Sequence, residues 1–294
     1  MGHIASTDRA LGPAEAMTAR FIASRRAAST ERSRDKGPLA RRHSSSAADT
    51  ARILIRALID GRDPGVSGIP VAEHYHVMGV ALGRSSELGA QRPTTIKDEE
   101  DLRRHVEAAV TTLFGDTAYT MLGSSGGTIL LPSEADERFP ETVLPALTRA
   151  AGSPVSVTAV RSRANAISRA TELAHDLLDI VVRLGYASGL YTLGDLTLEY
   201  QLTRPGPATG LLIAPLEPIL AAPELIETLR HHIAGSFNRQ KTATALGIHR
   251  NTVDYRLRRI KDLTGLDPSN QPDLLRLQSA LIIHAYRTRT APHA

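Results

Sequence analysis

Residues 238–260 read NRQKTATALGIHRNTVDYRLRRI, with one glycine near the middle and six Lys or Arg side chains. Upstream of Gly247, Ala243 and Leu246 stand at helical spacing, and the small Ala243 lets two helices approach closely. Gly247 permits the positive φ a sharp corner requires, and Ile248 is placed to plug that corner. Downstream, Val253, Leu257, Ile260 and Thr264 recur at intervals of four, three and four residues, which puts them on one side of a helix. A short helix, a glycine corner and a second amphipathic helix are the outline of a helix-turn-helix, whose second helix enters the major groove of DNA.

The other face of that second helix bears on the chemistry. At roughly 100° per residue, Asn251, Tyr255, Arg258 and Asp262 lie opposite Val253. Thr252 and Arg259 flank one side, Asp254 and Lys261 the other. Asn pairs in bidentate fashion with adenine and Arg with guanine. Thr and Tyr hydroxyls suit phosphates or base edges. The first turns of a recognition helix reach furthest into the groove, so His249, Arg250, Asn251, Thr252 and Tyr255 are the expected base readers. Arg256, Arg258, Arg259 and Lys261 are expected to grip phosphates. Asp254 is acidic and repels phosphate, yet it could accept a hydrogen bond from cytosine N4. A basic, solvent-exposed amphipathic helix would account for Val253, Leu257 and Ile260 equally well, but not for the glycine corner and the cationic outer face together.

Charge is unevenly placed along the 294 residues. The segment 51–223 carries fifteen Lys/Arg against twenty Asp/Glu, whereas 224–294 carries eleven against six. An acidic middle followed by a basic end matches the electrostatic footprint of a nucleic-acid-binding module. The chain has no cysteine, which removes disulfides, thiolate metal sites and cysteine nucleophiles together and fits a cytoplasmic protein. No apolar run approaches the roughly 20 residues of a membrane helix, and the first residues lack the pattern of a secretory signal.

Outward from the quoted stretch, residues 211–294 read as all-helical, with 223–294 as the DNA-binding domain. The expected helices are Leu225–Ala234, Arg239–Leu246, Arg250–Leu263 and Asp273–Arg287, with Asn238 as an N-cap and Gly265 as a stop. Residues 204–222 open with RPGPATG and read as a linker. Residues 49–203 alternate between the two periodicities. A helix at Asp49–Gly61 should present Ile53, Leu54, Ala57 and Leu58 on one face. Strand His76–Leu82, helix Ile96–Phe114, a hairpin of Ala118–Leu122 and Thr128–Leu131, helix Glu141–Ala151 and strand Val155–Val160 should follow. Helix Ala164–Leu184, strand GLYTL and helix Asp195–Leu202 complete the order. This describes an α+β sandwich with helices on a mainly antiparallel sheet. Residues 1–48 are rich in Ala, Ser and Arg and are expected to form a disordered tail, with at most a short helix near Ala14–Ser24.

The segment ELIETLRHHIAGSFNRQKTATALGIHRNTVDYRLRRIKDLTGLD, and HRNTVDYRLRRI within it, resembles the C-terminal helix-turn-helix of PucR/CdaR-type bacterial transcriptional regulators. The resemblance covers about Leu225 to Tyr286. It implies double-stranded DNA as the partner, through His249, Arg250, Asn251, Thr252, Tyr255 and Arg258. One such module contacts only a few base pairs, so a homodimer is expected, with a possible small-molecule effector. The middle of the chain resembles the degenerate GGDEF-like domain that precedes this module, in element order and in TMLGSSGGTILLP at Thr120–Pro132. Where active diguanylate cyclases carry two acidic residues in the hairpin, this chain has Ser125 and Gly126. Carboxylates are needed there to hold divalent metal against triphosphate charge, so the expected middle domain is non-catalytic. The expectation is a DNA-binding regulator without enzymatic activity or cofactor.

Other chemistries fit less well. GSSGG satisfies the G-x-S-x-G pattern of a nucleophile elbow around Ser125, but an elbow runs from strand to helix and the following TILLP is strand-like. No Lys follows the glycines as a phosphate loop requires. His74 and His76 share a spacing suited to a metal but lack a third ligand, and Asp98–Asp101 reads as a helix-opening charge run. The alternative from another class is a nucleotide-sensing or nucleotide-processing protein whose helical tail mainly dimerises. Substitution of Arg250 and Asn251 separates the two.

Overall fold

The computed structural model describes residues 40–82 and 96–289. It is a mixed α+β structure with a five-stranded sheet and a helical C-terminal region. Helix α1 spans Ala40–Ile59, strand β1 His74–Leu82, helix α2 Ile96–Phe114, strands β2 Tyr119–Leu122 and β3 Gly126–Ser133, and helix α3 Val143–Ala151. Strand β4 (Val155–Arg163), helix α4 (Ile167–Leu184), strand β5 (Leu190–Thr192) and helix α5 (Thr197–Thr203) follow. The remaining helices are α6 (Thr209–Ile213), α7 (Pro223–Ala234), α8 (Arg239–Leu246), α9 (Arg250–Thr264) and α10 (Gln271–Thr288).

The sheet order is β2-β3-β1-β4-β5, with β2 and β3 antiparallel and β4 and β5 parallel. Two compact units are interleaved along the chain. Among the described residues, one comprises 40–78, 96–155 and 161–171, the other 79–82, 156–160 and 172–289.

In the first unit, α2 has the bounds the sequence predicts. Its ladder Arg103–Glu107 (2.8 Å) and Arg104–Glu100 (2.9 Å) places opposite charges four residues apart along one side, which supports the helix. The β2–β3 turn pairs Leu122 with Gly127. Gly127 has φ 153°, and a Cβ there would lie 2.2 Å from the Met121 carbonyl oxygen, so only glycine fits. Ser125 therefore stands at a hairpin tip and leads into strand β3, not into the helix of a nucleophile elbow. Helix α1 differs from expectation. It already runs from Ala40, because Ala and Arg in ARRHSSSAAD are strong helix formers, and the amphipathic turns that follow anchor them. Leu54, Ile55, Ala57 and Leu58 are buried, whereas Ile53, expected beside them, is half exposed. The expected tail up to residue 39, including the short helix at Ala14–Ser24, lies outside the described residues.

In the second unit, Thr158 on β4 is fully buried and donates its hydroxyl to the Ala174 carbonyl oxygen of α4 at 2.6 Å. Gly79 on β1 leaves room for that approach. A Cβ at Gly79 would sit 2.8 Å from Thr158 Oγ1 and 3.1 Å from the Ala174 oxygen. Residues 204–222, expected as a linker, contain α6 and a 3-10 helix at Ala214–Ile219. Leu216 and Ile219 from this stretch are fully buried in the core of α7, α9 and α10. The prolines that suggest a break, Pro215 and Pro218, are accommodated within one tight helical segment. No single described helix is long and apolar enough to cross a membrane.

Two outcomes follow from this packing. Gly79→Ala should lower unfolding free energy by about 1–3 kcal/mol through overpacking, read by urea denaturation. His76 on β1 is buried with its ring edge on Phe139, centroids 5.5 Å apart, and its Nε2 has no hydrogen-bond partner among the described residues. Burial, and then the nearby Arg161 charge, hold its pKa down to about 4. The unfolded chain takes up that proton near the ordinary histidine value of 6.5, so stability is full above that pH and falls as pH drops towards about 4. The loss should reach about 2 kcal/mol at pH 5 relative to neutrality, and His76→Leu should flatten the dependence of the urea midpoint on pH.

Candidate nucleic-acid interface

The core beneath the interface is built from Leu225, Ile226 and Leu229 of α7, Ala243 of α8, Val253, Leu257 and Ile260 of α9, and Leu274, Leu277, Ala280 and Leu281 of α10. Helix α8 begins where the sequence places it. The Asn238 side-chain oxygen accepts from the Lys241 backbone N–H at 3.0 Å, satisfying one orphan donor of the first turn. The helix ends at Gly247, whose φ is 64°, and the Ile248 N–H returns to the Ala243 carbonyl at 3.0 Å. Ala243 is 2% exposed beneath this corner. A second tie joins α7 to α8. Buried His232 lies 3.4 Å from Thr242 Oγ1 and turns its ring towards Phe237, and its pKa is lowered by burial and then by Arg239.

Helix α9 carries two chemically distinct faces. Val253, Leu257 and Ile260 are buried, as their spacing predicts. His249 is its N-cap, with Nδ1 accepting from the Asn251 backbone N–H at 3.2 Å, which leaves Nε2 for an outside partner. Arg250, Asn251, Tyr255, Arg258 and Arg259 are exposed, and Thr252 is partly covered. Tyr255 is 55% exposed, and its hydroxyl accepts from Arg259 at 3.3 Å. The helix closes at Gly265, with φ 72° and its N–H on the Lys261 carbonyl.

Three residues expected at DNA are tied to parts of the domain outside α9. Arg256 turns towards α7 and donates to Thr228 Oγ1 at 3.1 Å, where it struts α9 against α7. Lys261 pairs with Asp267 at 2.8 Å, a hydrogen bond that holds the Asp267 carboxyl below its usual range. Asp254 pairs through Oδ1 with Arg239 Nε at 3.1 Å. Arg239 has no assigned role in the sequence reading. Two open grooves flank α9, of about 680 Å³ and about 430 Å³, and Arg239 lines both. Arg250 lines the larger, and Arg258 and Lys261 line the smaller.

Comparison with known proteins fits this geometry. Residues 225–283 match the family model of the PucR C-terminal helix-turn-helix domain. This segment is a PucR-type helix-turn-helix. The PucR-type domain spans nearly all of α7, all of α8 and α9, and most of α10. A transcriptional activator, PmfR of Paenarthrobacter nicotinovorans, is 50% identical over 50 residues, 17% of this chain and 11% of that protein. The carbohydrate diacid regulator of Escherichia coli (strain K12) is 60% identical over 40 residues, 14% of this chain and 10% of that protein. The matched segment is thus about a tenth of the length of either relative. The crystal structure of a regulator of polyketide synthase expression from Bifidobacterium adolescentis aligns with 82% of this chain and 100% of its own, at 19% identity and a TM-score of 0.36. That likeness is too weak to transfer any feature.

Ala243 is buried in the core that α8 shares with α9, so a larger side chain there must displace its neighbours. Ala243→Leu should lower stability by about 1–3 kcal/mol. Thermal unfolding followed by circular dichroism checks this, with loss concentrated in helical signal.

Proposed function

We propose that this chain is a sequence-specific DNA-binding transcriptional regulator. The observation that carries the reading is the PucR-type helix-turn-helix at 225–283, whose 15-residue helix α9 buries Val253, Leu257 and Ile260 and turns Arg250, Asn251, Tyr255, Arg258 and Arg259 outward. In this reading α9 lies in the major groove of double-stranded DNA. His249, Arg250, Asn251, Thr252 and Tyr255 read base edges, and Arg258 and Arg259 hold phosphates. Lys261 adds phosphate affinity if DNA displaces Asp267, and Arg256 supports the helix from behind. Affinity from these cations falls steeply with salt, by about 0.9 in log–log slope per phosphate neutralised.

One module of this size contacts few base pairs, so we infer a homodimer that reads two half-sites about one helical turn apart. The proposed division is a leading segment to residue 48, an α+β region at 49–203, a connection at 204–222 and a DNA-binding region at 223–294. For the α+β region we infer a GGDEF-like, non-catalytic role in dimerisation or in sensing a small-molecule effector. The β2–β3 hairpin supports this: its tip reads Gly123, Ser124, Ser125, Gly126 and Gly127 and offers no carboxylate to hold a metal ion.

Selection of duplexes from a randomised pool tests the reading. The wild-type chain should enrich one shared motif. Arg250→Ala and Asn251→Ala should each weaken binding to that motif by about 5- to 150-fold, the equivalent of about 1–3 kcal/mol for one bidentate base contact. Enrichment of the same motif with unchanged affinity by the doubly substituted chain would remove α9 from the role of recognition helix.

A further inference from the structure

An acidic side chain on a helix that meets phosphates needs a reason. Asp254 lies on the flank of α9, not on its outermost line, and its carboxylate is already engaged. Oδ1 stands 3.1 Å from Arg239 Nε, and the Asp254 carbonyl accepts from Arg258 Nε at 3.3 Å. The same Arg239 guanidinium donates through a second nitrogen to Ser269 Oγ at 3.3 Å, in the loop after α9. The first residue of α8 is therefore held from two sides, by the recognition helix and by the loop that follows it. The pair is substantially exposed, with side-chain accessibilities of 43% for Arg239 and 32% for Asp254. Exposed pairs of this kind contribute little to fold stability, so holding the fold together is a weak reason for the arrangement.

Its geometric consequence is larger. Arg239, like Ser269, lines both open grooves beside α9, with Arg250 in the larger and Arg258, Lys261, Asp254 and Asp267 in the smaller. A guanidinium carries five N–H donors in a planar fork. One terminal nitrogen donates to Ser269 and Nε stands in an ion pair 3.1 Å from the Asp254 carboxylate, which leaves donors for an outside acceptor. A long side chain fixed in advance loses less freedom when it binds, and Arg suits the planar recognition of phosphate. We propose that Arg239 is a phosphate clamp beside the recognition helix and that Asp254 is the positioning residue that holds it there, not a reader of cytosine. The proposal rests on the reading of α9 as a recognition helix.

The salt dependence of binding to a mixed-sequence duplex separates the roles, because phosphate contacts set the slope of log affinity against log salt. Arg239→Ala should reduce that slope by about one contact, or about 0.9. Asp254→Ala should reduce it similarly, and the double variant should lose no more than Arg239→Ala alone. Asp254→Asn keeps the shape but loses the charge that pairs with Arg239, so it should reduce the slope as Asp254→Ala does. Thermal unfolding of each variant confirms that the domain is folded, and Asp254→Asn preserves the test if Asp254→Ala is not.

Three results would overturn the clamp. Asp254→Ala and Asp254→Asn could both bind tighter with undiminished slope, which makes Asp254 a source of repulsion only. The effects of Arg239→Ala and Asp254→Ala could add in full. Asp254→Ala could change the base preferred in a selected motif and leave the slope intact. Failure of the wild-type chain to enrich any motif would instead count against the recognition reading, while the slopes on mixed-sequence DNA would still decide the clamp.

Discussion

The C-terminal region depends on how closely α8 approaches α9. Ala243 is the contact that permits it: a methyl side chain, 2% exposed, beneath a corner that turns through Gly247 at φ 64°. A larger residue at 243 would push the helices apart, and a residue with a Cβ at 247 would strain the turn. With that distance fixed, Val253, Leu257 and Ile260 reach one shared core, and the opposite face of α9 stands clear of the protein. Of the residues expected to read bases, Arg250, Asn251 and Tyr255 on α9 and the capping His249 are exposed, and Thr252 is partly covered.

The surroundings of α9 are organised by pairs that packing alone does not require. Arg256 to Thr228 ties α9 to α7, Asp254 to Arg239 ties it to α8, and Lys261 to Asp267 ties it to the loop that follows. Charges at an exposed helix are usually worth little to stability. Their effect here is directional: they fix where each guanidinium or ammonium points before any partner arrives. A similar network joins α4 to α10, where Asp179 accepts from Arg183 at 2.7 Å and from the Tyr286 hydroxyl at 2.6 Å. The Arg183 guanidinium also lies over the Tyr286 ring.

Local signals were legible in the sequence, and long-range ones were not. The bounds of α2 and α8 agree with those read from periodicity and capping, because the acidic opening of α2 and the Asn238 cap are chemical statements made within a few residues. The early start of α1 was hidden by a composition, Ala, Ser and Arg without large apolar residues, that suits a helix and a tail alike. The helical turn at Ala214–Ile219 falls in the stretch read as helical after Gly210, but its two prolines blur the periodicity that would have given it bounds of its own. At the interface, the buried face of α9 was legible from spacing, but the partners of its charged residues were not. Arg256 sits next to the apolar stripe on the helical wheel, so its inward turn had a faint signal that residue type outweighed. The contact of Asp254 with Arg239 joins residues fifteen apart on different helices and becomes visible only once α8 and α9 are packed.

The measurement that tests the central claim most directly places a probe on α9 itself. The chain has no cysteine, so Asp262→Cys, on the exposed outer line of α9 beyond the expected base readers, provides a unique attachment point for an iron chelate that cleaves DNA locally. Bound to a duplex selected by the wild-type chain, the labelled protein should cut in a narrow cluster at the selected motif, while the same label at exposed Leu275 on α10 should cut weakly or outside it. Dispersed cleavage from position 262, or focused cleavage from 275 alone, would contradict the account and place another surface of the domain against the DNA.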